Sequence, residues 1–176
     1  MPDLSVAERL QPALLDRLTD NEPGKQLESR NQRIVSPEQL RKSVMRDLNW
    51  LLDTTHLAST EDLTDYPLVA QSVLNYGIPA FAGTLAGQRR LAVEKSVSQA
   101  ILRFEPRLLA SKLKVELIDN RKLEDQNTIT LGIDGEIFAQ PLPQVLYLKT
   151  ELDLELGSAR ITELAEPLAP AKPRRR

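Results

Sequence analysis

Residues 103–117 read RFEPRLLASKLKVEL and contain the point at which the chain changes its hydrophobic period. Before Pro106 the apolar residues recur at helical spacing, and after it they alternate with polar residues, as along a half-buried strand. Proline ends the helix because the residue that precedes it is disfavoured in helical geometry. A helical half followed by a strand half predicts an α+β fold rather than alternating βαβ units.

Three segments with the strand period follow the proline, each with one apolar and one polar side. They cover residues 113–117, 129–137 and 146–156. A fourth short strand is predicted over residues 159–164, after a tight turn at Gly157. We expect an antiparallel sheet that packs its apolar face against the helices.

Four helices are predicted on the amino-terminal side of the proline. The best-defined one begins after Ser36, which can form a capping box with Gln39, and it carries an apolar stripe. Amphipathic helices are also predicted over residues 5–18 and 88–104. Another is predicted from a cap at Asp65 to a stop at Gly77, with a packing face formed by Leu68, Val69, Ser72, Val73 and Tyr76.

Composition narrows the function before any motif is considered. The 176 residues include 23 Lys plus Arg and 25 Asp plus Glu, and this balance argues against a general nucleic-acid binder. The absence of cysteine removes disulfides and thiolate metal sites. The sequence shows no signal-peptide region and no apolar run that could span a bilayer. We therefore expect a soluble cytoplasmic protein that needs no cofactor.

The domain prediction has three parts. An amino-terminal helix and linker occupy residues 1–35, an α+β domain occupies 36–165, and a disordered basic tail occupies 166–176. The linker is predicted from the polar composition of residues 19–35, and the tail from its prolines and three final arginines. A basic tail could also touch an acidic partner, but a solvated end is the commoner case.

No group of residues in the sequence forms a recognisable catalytic or metal-binding motif. The single histidine, His56, has neither thiolates nor other imidazoles with which to bind zinc. Residues 83–89 lack the Lys–Ser/Thr ending of a phosphate loop. A glycosidase pair is formally available from carboxylates that read as solvated charges: Glu61, Asp62, Asp65, Glu94 and Glu105.

One charged stretch, residues 103–107, is not readily explained as a set of solvated surface charges. Glu105 and Arg107 flank the rigid Pro106, and two charged side chains do not easily hide together in a core. They can pair with each other, or they can project as a contact for a partner protein. On the second interpretation, Arg107→Ala would weaken assembly without unfolding the protein. The predicted partner-binding residues are Arg103, Phe104, Glu105, Pro106 and Arg107.

Several motifs, in the same order along the chain, resemble the TssE family of type VI secretion baseplate subunits. They lie at residues 14–18, 43–52, 65–67, 72–79, 105–107, 133–137 and 150–157. The resemblance covers residues 10–164 and extends, through Glu105–Pro106–Arg107, to the wedge proteins of contractile phage baseplates.

This resemblance implies a non-enzymatic structural subunit that joins baseplate wedges and supports assembly of the sheath and tube. The implied partners are the baseplate subunits TssF, TssG and TssK and the first layer of the contractile sheath, with no nucleic acid and no membrane insertion. The implied location is the cytoplasmic side of the inner membrane. It also implies that Glu105, Pro106 and Arg107 form a contact corner.

Two other functions stay open at this point. Part of the family is labelled lysozyme-like, so peptidoglycan hydrolysis is one alternative, although no catalytic residues of such an enzyme can be matched in this sequence. A free-standing module that binds nucleic acid or a small protein is the other, and the balanced charge speaks against nucleic acid.

Overall fold

The computed structural model describes residues 13–19, 23–24, 36–81, 86–118, 128–139, 143–153 and 156–167, with side chains of the last long helix from Ala92 onward. The described helices are α1 (Leu14–Leu18), α2 (Pro37–Leu52), α3 (Pro67–Ala70) and α4 (Ala86–Phe104). Short 3₁₀ turns lie at Leu57–Ser59, Val73–Asn75 and Ala110–Lys112. The strands are β1 (Lys114–Leu117), β2 (Thr128–Ile137), β3 (Gln144–Asp153) and β4 (Ala159–Glu163). Helices followed by a sheet confirm the predicted α+β class.

The capping box that was predicted for α2 is formed. The Ser36 hydroxyl accepts a hydrogen bond from the Gln39 backbone N–H at 3.1 Å, and the Gln39 side chain accepts one from the Ser36 N–H at 2.9 Å. Pro37 occupies the first helical position, where no backbone donor is needed. The apolar stripe of α2 is buried as predicted: Leu40, Val44, Leu48, Leu51 and Leu52.

The sheet is antiparallel, with strand order β1-β2-β3-β4. Ile133 of β2 lies opposite Leu148 of β3, so the two residues share a face. That face is apolar, and its residues pack in one core with α2 and α4. Six of its side chains are at most 2% exposed: Leu131, Ile133, Ile137, Leu146, Leu148 and Leu152. The opposite face carries the polar residues of the alternating pattern.

The helix predicted from Asp65 to Gly77 is wrong. Only Pro67–Ala70 is α-helical, Tyr66 rather than Asp65 precedes it, and Leu68 and Val73 of the predicted packing face are 83% and 77% exposed. The Ser72 hydroxyl donates to the Val69 carbonyl and accepts from the Leu74 N–H, which starts a separate 3₁₀ turn. Such local bonds from serine compete with a continuous helix.

Gly77 does not end that helix; it allows the backbone to pass close to the backbone of Thr54. Its φ is +118°, and a Cβ there would lie 2.2 Å from the carbonyl oxygen of Thr54. The neighbouring Ile78 N–H donates to the same oxygen at 2.8 Å, and the His56 N–H donates to the Ile78 carbonyl at 3.0 Å. This crossing fixes the loop after α2 against the segment that leads to α4.

Other predictions differ from the structure only at their ends or fall outside it. α4 begins at Ala86 rather than at 88, and β3 ends at Asp153, which leaves Leu156 79% exposed. Of the helix predicted over 5–18, residues 5–12 lie outside the described residues, as do 20–22 and 25–35 of the linker and 168–176 of the tail. None of the described helices is both long and apolar enough to cross a membrane.

Candidate functional site

The corner at residues 105–107 is fixed by backbone bonds on both sides. The Glu105 N–H completes the last turn of α4 by donating to the Ile101 carbonyl at 2.9 Å. The Arg107 carbonyl accepts from the Phe138 N–H at 2.7 Å, and the Leu109 N–H donates to the Glu136 carbonyl at 2.9 Å. The corner is therefore attached to the end of β2 and is not a free loop.

The side chains of Glu105 and Arg107 pair with each other. Glu105 Oε1 accepts from Arg107 Nε at 2.7 Å, Oε2 accepts from Arg107 Nη2 at 2.5 Å, and the Arg107 backbone N–H adds a third bond at 3.2 Å. The Glu105 side chain is only 3% exposed. A carboxylate is tolerated at such a depth because the fork of the guanidinium satisfies both of its oxygens.

Arg107 also joins the corner to α2. Its Nη2 lies 2.5 Å from Asp47 Oδ2, and its Nη1 donates to the Ser43 hydroxyl at 3.0 Å. Partial burial acts to lower the pKa of Arg107, but the carboxylates of Glu105 and Asp47 raise this pKa above its ordinary value. The guanidinium therefore stays charged and links α2 to the end of α4.

The same group of contacts extends to α1. The Ser43 hydroxyl donates to Asp16 Oδ2 at 2.6 Å, and Arg46 Nη1 donates to Asp16 Oδ1, also at 2.6 Å. Arg46 Nε binds Asp47 Oδ1 at 2.9 Å. We name the whole set the charge network; its members are Asp16, Ser43, Arg46, Asp47, Glu105 and Arg107. It joins three separate parts of the chain through three carboxylates and two guanidinium groups.

Electrostatics keep the outer part of the charge network ionised. Burial acts to raise the pKa of Asp16. Hydrogen bonds from Ser43 and Arg46, together with the positive charges of Arg46 and Arg107, lower this pKa below its ordinary value. Burial acts to lower the pKa of Arg46, and its bonds to Asp16 and Asp47 raise this pKa overall. Each partner thus favours the charged form of the other at neutral pH.

Aromatic side chains surround the charge network. The Tyr76 hydroxyl donates to the Asp47 carbonyl at 3.4 Å, and its ring meets Phe104 edge-to-face at 5.1 Å. Burial, and then the negative charges of Asp47 and Glu105, raises the pKa of Tyr76. The guanidinium carbon of Arg46 lies 5.1 Å from the centre of the Trp50 ring, which is 49% exposed. Trp50 is therefore a natural optical reporter of this site.

The five residues predicted to bind a partner occupy different environments. Arg103 and Pro106 are exposed, Phe104 and Arg107 are half-buried, and Glu105 is buried. Of the two arrangements considered for the charged pair, internal pairing is the one formed, because Asp47 and Ser43 of α2 complete the coordination of Arg107. Binding of a partner at this segment stays a prediction.

Sequence reasoning did not connect Asp16, Ser43 or Asp47 with the corner. One signal was present: Ser43, Arg46 and Asp47 are three and four positions apart, so they share one face of α2. Nothing in the sequence indicated that this face meets Arg107, which lies 64 positions from Ser43.

The carboxylates considered for catalysis do not converge. Glu61, Asp62 and Asp65 lie in an exposed loop. Glu94, on α4, accepts a hydrogen bond from the Leu117 N–H of β1 at 2.8 Å. Within the described ranges, no three His, Asp or Glu side chains are grouped so that they could hold a metal ion. His56 precedes a 3₁₀ turn, with Nδ1 3.1 Å from the Ser59 hydroxyl.

The loop around α3 presents a second notable surface. Four large apolar side chains within residues 66–74 are 61% to 83% exposed: Tyr66, Leu68, Val73 and Leu74. The buried Asn75 side chain holds this loop in place by binding the Ala58 N–H at 2.9 Å and the Ala70 carbonyl at 3.1 Å. Several exposed apolar residues on one ordered loop are typical of protein–protein contact sites.

Comparison with protein families gives one match. The family described as baseplate wedge protein gp25 matches residues 38–142, which is more than half of the chain. The matched range includes α2, α4, the corner and β2, and therefore five of the six members of the charge network. Asp16 lies outside it. Comparison with curated proteins gave no match.

Proposed function

Since the chain belongs to the family of the baseplate wedge protein gp25, whose members are structural parts of phage-tail-like baseplates, we propose that it serves in the baseplate of a type VI secretion system. In that assembly it joins wedges and supports growth of the sheath around the tube. The observation that carries this proposal is the family match over residues 38–142, together with the TssE-like motifs on both sides of the corner.

The contacts between the helices of this chain suit a subunit that transmits mechanical force. A baseplate holds an extended sheath and then releases it, so its parts need bodies that transmit force without deforming. Here the Glu105–Arg107 pair and the bonds of Arg107 to Ser43 and Asp47 tie the end of α4 to α2. The corner acts, on this proposal, as an internal brace that holds the exposed Arg103 and Pro106 in a fixed position for a partner.

Two exposed features are available for contacts with the proposed partners TssF, TssG and TssK. One is the outer side of the corner, where Arg103 and Pro106 are exposed. The other is the apolar surface of residues 66–74. Burial of such apolar side chains is the main favourable term in most protein association, so the second feature would supply affinity and the first orientation.

The first sheath layer is the remaining proposed partner, and an edge of the sheet is its proposed contact. β1 and β4 are the outer strands of the described sheet. On each of them a carboxylate binds an outward backbone N–H. Glu94 of α4 accepts from Leu117 of β1 at 2.8 Å, and Asp53, at the end of α2, accepts from Ala159 of β4 at 3.0 Å. A strand that pairs with either edge would have to displace that carboxylate, which limits pairing to a specific partner.

Co-purification from a cell that carries the intact system tests the proposed function. A tagged copy of the whole chain should recover TssF, TssG and TssK. Arg103→Ala should lower this recovery without changing thermal stability, and Lys95→Ala, on an exposed position of the same helix, is the matched control. Recovery of none of these subunits from cells that assemble sheaths would refute the proposed assembly.

We also propose that the chain is not an enzyme and that it acts in the cytoplasm. Among the described residues Glu105 is the buried carboxylate, but both of its oxygens are bound by Arg107, so it is badly placed to protonate a sugar oxygen. Digestion of purified cell wall by the wild-type protein and by Glu105→Gln decides the point. Lysis that depends on Glu105 would favour the hydrolase.

A further inference from the structure

The amino-terminal helix α1 is attached in an unusual way. None of its five residues is buried, and Leu14 and Leu18 are 70% and 74% exposed. Its bonds to the rest of the described structure come from one carboxylate, Asp16, which binds Ser43 and Arg46 of α2. In the described part of the chain, α1 is thus positioned by polar contacts, whereas α2 and α4 are positioned by apolar burial.

Ser43 and Arg46, which bind Asp16, are also held in place by other residues. Arg107 Nη1 donates to the Ser43 hydroxyl oxygen at 3.0 Å, so the single hydroxyl proton of Ser43 is directed elsewhere, toward Asp16. Arg46 is held by Asp47 through Nε, which leaves its Nη1 for the second oxygen of the incoming carboxylate. One hydroxyl and one guanidinium therefore present two donors at the spacing of a carboxylate.

We propose that Ser43 and Arg46 form a carboxylate receptor, that Asp16 fills it within the free subunit, and that an Asp or Glu side chain of a partner protein replaces Asp16 on assembly. The identification of that partner as another baseplate subunit rests on the proposed function; the receptor itself does not. Its residues lie inside the family-matched range of 38–142, and the carboxylate that fills it lies outside.

Exchange is physically reasonable at this position. The side chains of Asp16 and Arg46 are 24% and 32% exposed, so water competes for both and the pair is weaker than the buried Glu105–Arg107 pair. Twenty residues, 17–36, separate Asp16 from α2, and an extended chain of that length spans on the order of 60 Å. α1 can therefore leave the receptor without any change in α2.

A peptide assay on the full chain tests the receptor. The probe is a peptide of residues 12–19, PALLDRLT, with blocked ends so that it carries a single carboxylate. Binding is followed by the fluorescence of Trp50, the only tryptophan, which lies beside Arg46. At low ionic strength, Asp16→Asn should bind the probe at least tenfold more tightly than wild type, because its own competitor has lost its charge.

Two controls define the outcome. The same peptide with Asn in place of Asp should bind neither protein, and Asp16→Asn combined with Arg46→Gln should lose the binding. Hydrogen exchange of the Arg17 and Thr19 amides, which donate to the Ala13 and Leu15 carbonyls, should be faster in Asp16→Asn than in wild type. Equal binding of the probe to wild type and Asp16→Asn, or unchanged exchange of those amides, would overturn the proposal. No baseplate partner is present in this assay, so its failure would leave the proposed function intact.

Discussion

Replacement of Arg107 by methionine should strongly destabilise the fold, although the residue lies at a surface corner. Methionine keeps much of the apolar volume and removes the donors that Glu105 and Asp47 accept from. Asp47 keeps Arg46 as a partner, but among the described residues Glu105, which is 3% exposed, keeps only the backbone N–H at position 107. The damage therefore falls on one buried carboxylate.

The expected loss of unfolding free energy at neutral pH is about 3 kcal/mol, the lower end of the range for breaking a buried ion pair. The lower end applies because the Arg107 side chain is itself 22% exposed and water can reach part of the site. The sequence alone predicts that loss of Arg107 leaves the protein folded and weakens assembly, and the structure adds this loss of stability to the prediction.

Urea unfolding followed by Trp50 fluorescence measures the effect, with an unchanged m-value as the check that both states remain comparable. Arg103→Met is the matched control, because Arg103 is exposed and its guanidinium carbon lies 5.3 Å from the centre of the Phe104 ring, with no buried carboxylate partner in the described part of the chain. It should cost less than about 1 kcal/mol. Glu105→Leu combined with Arg107→Met should be more stable than Arg107→Met alone.

A loss below about 1 kcal/mol for Arg107→Met would refute the brace. So would a double variant Glu105→Leu with Arg107→Met that is no more stable than Arg107→Met alone, since the loss would then come from packing and not from the unpaired charge. Either result would return the corner to the role of an external contact.

Three further predictions concern separate parts of the chain. The pKa of Asp16 is lowered in the folded state, so its stabilising contribution is present above the unfolded pKa of about 3.9 and is lost as pH falls through the folded pKa; the protection of the α1 amides, measured relative to the exchange rate of the unfolded chain at the same pH, should fall in that acidic range, and Asp16→Asn should remove this change in protection. Thr150→Val should stabilise the protein by about 1 kcal/mol, because the buried Thr150 Oγ1 has no hydrogen-bond partner within the described structure. The thermal midpoint should therefore rise, and a lower midpoint would show that this hydroxyl has a partner. Gly77→Ala should cost about 2 kcal/mol or more in urea unfolding, since its Cβ would collide with the Thr54 carbonyl at positive φ, and a neutral result would show that the crossing can relax.

The local features of this fold were accessible from sequence because each depends on residues that are close along the chain. The capping box of α2 needs only Ser36 and Gln39, three positions apart. The end of α4 follows from Pro106, and the alternation of the strands follows from the two-residue repeat of a pleated backbone. These signals gave the α+β class and the element order. The domain limits and the disordered tail stay predictions.

The interruption of the predicted third helix shows where such reasoning stops. Residues 65–76 carry an acceptable helical pattern, and helix propensity is only a weak prior. The local bonds of Ser72 favour a break in the helix, and a buried amide then fixes the loop with its apolar residues outward: Asn75 binds the Ala58 N–H, 17 positions away. That contact has no signature within the segment.

The sequence by itself determined the two long helices and the strands, which side of each is apolar, and that a charged pair stands at the junction between the two halves. Only the tertiary structure decided that the pair turns inward. Arg107 binds Ser43 and Asp47 of α2, which lie 64 and 60 positions earlier in the chain. The same packing brings Asp16 to Ser43. Solvation of a charge depends on what surrounds it in space, and spacing along the chain does not encode those surroundings.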